Sequence, residues 1–167
     1  MLLVFLVYAV QAFQETSIPE FSTPPERRWR SCAVYDEAKN RIITFGGQVK
    51  QQDAYSSDLN SYKIGNNIWE EITPQSYFVP PGMVFSELYL RSDRVLLVFY
   101  GSTFEDLSSD VYSCDLSTNV WTTVTLYGDY IPSRTLFAHT NFNYSNNEYI
   151  AIFGGITKNG VSNELFL

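Results

Sequence analysis

The stretch Arg41-Ile42-Ile43-Thr44-Phe45-Gly46-Gly47 decides the fold, because the 167-residue chain contains it three times. It returns as Arg94-Val95-Leu96-Leu97-Val98-Phe99-Tyr100-Gly101 and again as Glu148-Tyr149-Ile150-Ala151-Ile152-Phe153-Gly154-Gly155. Gly47, Gly101 and Gly155 are spaced 54 and 54 positions apart. Other marks keep nearly the same step. Asp58 lies eleven residues before Trp69, and Asp110 eleven before Trp121. Pro25, Pro81 and Pro132 precede the three glycine marks, and Pro25-Glu26-Arg27 and Pro132-Ser133-Arg134 share a Pro-x-Arg start. So many coincidences at one period define an internal repeat.

Within a unit, four short runs are rich in β-branched and aromatic residues: Arg30–Tyr35, Arg41–Phe45, Leu59–Ile64 and Ile68–Ile72. Asp36-Glu37-Ala38-Lys39-Asn40 and Gly65-Asn66-Asn67 supply turn residues between them. No stretch sustains a 3.6-residue apolar period with caps, so helices are not expected. Four antiparallel strands repeating every ~40–50 residues predict an all-β fold of β-propeller blades.

These residues resemble the kelch repeat. That family is marked by an apolar strand ending in two glycines, an aromatic on the third strand and Trp on the fourth. The matching structural positions are Gly46, Gly47, Tyr62 and Trp69 in unit one, Gly101 and Trp121 in unit two, and Gly154 and Gly155 in unit three. Unit two departs from the pattern, with Tyr100 at the first glycine and Cys114 at the Tyr62 position. The resemblance covers about Pro25 to Leu167 and implies kelch blades over 25–79 and 80–131, with an incomplete blade over 132–167. In that third unit Glu164-Leu165 aligns with Asp58-Leu59, so the sequence stops short of a fourth strand.

Under three blades is an open arc, whereas propellers close with about four to eight. An open arc leaves sheet faces and strand edges uncovered. The expectation is therefore a partial β-propeller that belongs to a larger one as a fragment. Several copies completing a ring is the disfavoured alternative, because the last unit breaks off inside a strand.

At the start, Leu2–Val10 is nine apolar residues without a charge. It is too short to span a bilayer, which takes ~20, but fits the apolar core of a secretory signal peptide. Residues 1–12 are assigned to that role, with cleavage after Ala12; a buried strand or helix start is the alternative. Residues 13–24 form an extended leader rich in proline. A signal peptide places the chain outside the cell or in the lumen of the secretory pathway, with a cytoplasmic location as the alternative. It would also expose the sequon Asn143-Tyr144-Ser145, read into the turn between strands one and two of unit three, to N-glycosylation.

Composition narrows the function. There are 18 Asp+Glu against 11 Lys+Arg, a formal net charge of -7, which argues against nucleic acid as a partner. The one histidine, His139, aligns with Ser31 and reads as structural. Cys32 and Cys114 fall in different units without metal-ligand spacing, so they are expected as buried free thiols, with a disulfide as the alternative. No catalytic motif, metal site or cofactor site is expected.

In an up-and-down blade, the loops joining strands two to three and four to one open on the same face. That face collects the candidate partner-binding residues Arg27, Tyr77, Phe78, Tyr127, Tyr130 and Arg134. Tyr and Arg dominate many interface energies, and a rigid β scaffold is a common bearer of binding loops. The reading is a non-catalytic module that binds a protein or a glycan. The resemblance leaves two alternatives: part of a galactose-oxidase-like or sugar-acid isomerising enzyme whose catalytic residues lie elsewhere, or a cytosolic kelch adaptor.

Overall fold

A computed structural model describes residues 22–50 and 54–167. The signal-peptide assignment and most of the leader lie outside the described residues. Three blades follow one another along the chain. Blade one is β1 (Cys32–Asp36), β2 (Arg41–Phe45), β3 (Leu59–Lys63) and β4 (Ile68–Glu71). Blade two is β5 (Glu87–Leu90), β6 (Val95–Phe99), β7 (Val111–Asp115) and β8 (Val120–Thr123). Both are four-stranded and antiparallel, with strands paired in sequence order. Blade three holds β9 (Ala138–Tyr144), β10 (Asn147–Phe153) and the two-residue β11 (Leu165–Phe166). Among the described residues the one helical turn is a short 3-10 segment, Glu37–Lys39. The all-β open arc is thus as expected.

Register makes the repeat physical. Phe45 pairs with Leu59, Phe99 with Val111 and Phe153 with Leu165. Cys32 faces Phe45 and Ala138 faces Phe153, so the counterpart of His139 is Ala33 rather than Ser31. β1 starts two residues later than its composition suggests, because Arg30 turns at φ 60. Phe85 and Leu136 turn the same way, at φ 54, ahead of β5 and β9.

The glycine pair works as a stitch between blades. Gly47 N–H donates to the Met83 carbonyl at 2.8 Å, and Gly101 N–H donates to the Arg134 carbonyl at 3.1 Å. Such close backbone approach leaves no room for a side chain: a Cβ on Gly101 would lie 2.6 Å from the Ser86 amide nitrogen. The first position of the pair needs a left-handed backbone, and at Gly46 close approach as well, since a Cβ there would lie 2.5 Å from the Met83 carbonyl oxygen. Gly46 and Gly154 sit at φ 68 and 70, and Tyr100 adopts φ 55 in their place, a conformation that costs about 1–2 kcal/mol for a residue with a Cβ. Its ring contacts Phe137 of blade three edge-on at 5.8 Å, which offsets part of that cost.

Blades one and two share one core. Ile43 and Phe45 from blade one meet Leu96, Val98 and Trp121 from blade two, all buried. The Phe45 and Trp121 rings lie 5.8 Å apart. An ionic lock closes the opposite end of this interface. Asp36 is fully enclosed and accepts hydrogen bonds from Arg41 Nε at 2.8 Å and from both terminal nitrogens of Arg94, which reaches across from blade two. Burial alone would raise the Asp36 pKa, but the hydrogen bonds and charges of Arg94 and Arg41 outweigh it and bring it to about 2.

Candidate partner-binding face

The face reached by the strand two–three and strand four–one loops carries more order than turn composition suggests. Arg28–Trp29, Gln48–Val49 and Ala54–Tyr55 form a three-stranded ribbon beyond blade one. Arg134–Thr135, Ile156–Thr157 and Gly160–Val161 repeat it beyond blade three. Each ribbon is fastened by an arginine. Arg134 Nη1 donates to the Gly154 carbonyl at 2.8 Å, Nε donates to Pro132 O at 3.1 Å, and Nη2 pairs with Glu164 at 3.5 Å. Arg28 does the same with the Gly46 carbonyl, Glu26 O and Asp58. The Pro-x-Arg alignment is therefore corrected by one residue, since Arg28 rather than Arg27 is the partner of Arg134. The planar five-donor fork suits this role of tying a strand end to an acidic residue.

The six residues singled out from the sequence do not converge on one patch. Arg134 is 0 % exposed and stacked over Phe166, so its guanidinium serves the blade. Arg27 lines a shallow groove with Trp29 and Lys50. Tyr77 and Phe78 lie toward the outer rim of blade two: the neighbouring Ser76 hydroxyl accepts the Trp121 N–H on β8, and the Phe78 ring leans on Tyr112. Tyr77 itself projects fully into solvent. Tyr127 and Tyr130 are both exposed and border a groove between blades two and three.

The structure adds residues that the sequence reading passed over. Tyr55 and Phe104, on the strand two–three loops of blades one and two, form an edge-to-face pair at 5.9 Å. They flank a cleft of about 590 Å³ with Pro81, Thr103 and Glu105. Phe104 is largely exposed. Asp106 accepts a hydrogen bond from Lys158 at 2.5 Å, joining this loop to that of blade three. That bond holds Asp106 below the usual carboxylate range and Lys158 above the usual amine range. One signal could have found the pair: both loops carry an aromatic amid otherwise small and polar residues.

Asn143 and Tyr144 end β9, with Ser145 in the left-handed turn that follows, so the sequon straddles the strand end instead of lying wholly in the turn. All three residues are exposed. His139 packs edge-on against Phe99 at 5.4 Å, with Nδ1 3.5 Å from Glu87. Burial lowers its pKa, so the ring is neutral near pH 7. Among the described residues, no three His, Cys, Asp or Glu side chains gather as a metal ion would require. No helix among them is long and apolar enough to cross a membrane.

Cys32 and Cys114 are free and buried, and burial pushes each thiol up to about 12. A thiol that does not ionise is a poor nucleophile. The folded chain at pH 8 should therefore react with a thiol reagent only as fast as it unfolds, and two equivalents should titrate in denaturant. Rapid native-state labelling would show that one of them is accessible.

Four-stranded antiparallel blades, double-glycine stitches and an interblade Trp define a β-propeller of the kelch type. The family model of the attractin/LZTR1 β-propeller matches residues 2–167, and the chain belongs to that family. The match begins inside the apolar run at Leu2. No curated protein matches this chain.

Proposed function

We propose that this chain is a non-catalytic protein-binding module whose contact surface is the loop face around Tyr55, Phe104, Tyr127 and Tyr130. The observation that carries the reading is the pair Tyr55–Phe104, an aromatic step built from two blades and left open beside a cleft. Rigid aromatic side chains at a desolvatable site are typical interface anchors. Around them lie Glu105, Asp106 and Lys158, a polar rim of both signs.

The test compares three forms of the immobilised chain against one extracellular protein mixture: wild type, Phe104→Ser with Tyr127→Ser, and Tyr35→Ser on the opposite face. A protein retained by wild type and by Tyr35→Ser, and lost from the loop-face variant, is the expected result. Equal retention by all three would refute the assignment.

Export from the cell is the second part of this proposal. It is supported by the Leu2–Val10 run and by the exposure of the Asn143 sequon. In a secretory host the chain should lose residues 1–12 and shift in mass on deglycosylation, with Asn143→Gln abolishing the shift. An exported product that keeps residues 2–12 would contradict the signal peptide. Absence of a glycan on wild type would contradict the modification.

A further inference from the structure

Each unit places a left-handed residue two positions ahead of its first strand. These are Arg30 before β1, Phe85 before β5 and Leu136 before β9, at φ 60, 54 and 54. They stand on the inner rim of the loop face. The first strands of blades one and two approach each other there: Phe85 N–H donates to the Arg30 carbonyl at 3.1 Å, and Cys32 Sγ lies 3.4 Å from Ser86 Oγ. In a fan of blades, contacts between first strands mark the side toward the central axis.

Repetition separates what the fold needs at this rim from what it does not. Arg28 and Arg134 recur because each ties a ribbon to its own blade. Arg30 does not recur. Leu136 stands at its position in unit three and takes the same backbone turn, so the fold does not require a guanidinium there.

Arg30 is nevertheless held in place. Its guanidinium carbon lies 3.7 Å from the centroid of the Trp29 ring and 4.6 Å from that of Phe85, one ring from its own unit and the other from the next. Stacking of this kind fixes a guanidinium while leaving its in-plane N–H donors unused. Arg28, Arg41, Arg91, Arg94 and Arg134 each meet a carboxylate. Among the described residues Arg30 meets none, and its side chain is exposed. That exposure belongs to the position, since Leu136 is 56 % exposed with blade two in place beside it.

We propose that Arg30 seats a single carboxylate of a partner protein, an Asp or Glu side chain flanked by apolar residues that lie along Phe85 and Leu136. A guanidinium clamped between two rings offers parallel N–H donors to the two oxygens of a planar carboxylate. The rim beside it is apolar at Phe85 and Leu136, which suits apolar neighbours of that acid. A polyanion suits it less: the chain carries a net charge of -7, so an anion is favoured only by a local, geometrically matched contact. This site adds to the loop-face reading without resting on the Tyr55–Phe104 pair.

The test titrates the full chain with the synthetic peptide acetyl-Glu-Leu-Phe-amide and, as control, acetyl-Gln-Leu-Phe-amide. The Arg30 Nε–H and Phe85 backbone amide resonances report binding. The Glu peptide should shift both saturably and bind about tenfold tighter than the Gln peptide. Arg30→Leu, which copies unit three, should keep the β-type circular dichroism spectrum and lose the preference for Glu. Arg30→Lys keeps the charge without the planar fork and should bind more weakly than wild type. Lys39→Ser, which removes a cation from the turn between β1 and β2 on the opposite face, should bind as wild type does. Equal binding of the two peptides, a Glu preference that survives Arg30→Leu, or full affinity in Arg30→Lys would overturn the proposal. An equal shift of the Arg30 resonance by inorganic phosphate at the same concentration would overturn it too.

Discussion

Replacing the buried Asp36 by Ala should destabilise the chain more than any exposed polar change, by about 3–5 kcal/mol in a denaturant titration. The carboxylate is enclosed and holds two guanidinium groups, Arg41 from its own blade and Arg94 from the next. Removing it leaves Arg41 buried without its partner and unties blade two from blade one at that end. Because the folded-state pKa of about 2 lies below the ordinary 3.8, the stabilisation is present above pH 4 and is lost as pH falls through 2. Wild type should lose on the order of 2 kcal/mol over that window relative to Asp36→Asn. A wild type and an Asp36→Asn variant with parallel acid-unfolding curves would show that the lock carries no weight.

Trp121→Ala is the second large effect. The indole is 3 % exposed and packs between two blades, so its loss should cost about 3–5 kcal/mol. Trp69 is its counterpart in blade one and supplies an internal control. It is half-buried and its ring lies 5.1 Å from Tyr62 of its own blade, so Trp69→Ala should cost less than half as much. Equal costs at the two positions would mean that burial between blades is not what stabilises Trp121.

How far the sequence discloses this molecule follows from the range of each interaction. The apolar strand ending in glycine, repeated three times, and the Asp-to-Trp interval, repeated twice, are local signals, and they place the strands to within two residues. The Asp36–Arg94 lock is not visible that way. Asp36 opens a run with ordinary turn composition, and its partner lies 58 residues on, in another blade. The short ribbon Arg28–Trp29 with Gln48–Val49 escapes for a related reason: two-residue strands carry no periodicity. For the loop face, residue type was legible and radial position was not. Topology puts Arg134 and Tyr127 on the same face, but only packing separates an arginine that holds Gly154 from a tyrosine turned to solvent.

Blades one and two are locked by the outer-strand Trp121, and the counterparts of the residues around it, Leu97, Phe99, Ile150 and Ile152, line the groove between blades two and three. The most direct measurement is the binding of a synthetic peptide, Ser117–Leu126 of this chain, to the chain itself. That peptide is the complete outer strand of blade two. Saturable one-to-one binding, abolished when its Trp is replaced by Ala, is the predicted result. No binding, or equal binding by the Ala peptide, would contradict the claim.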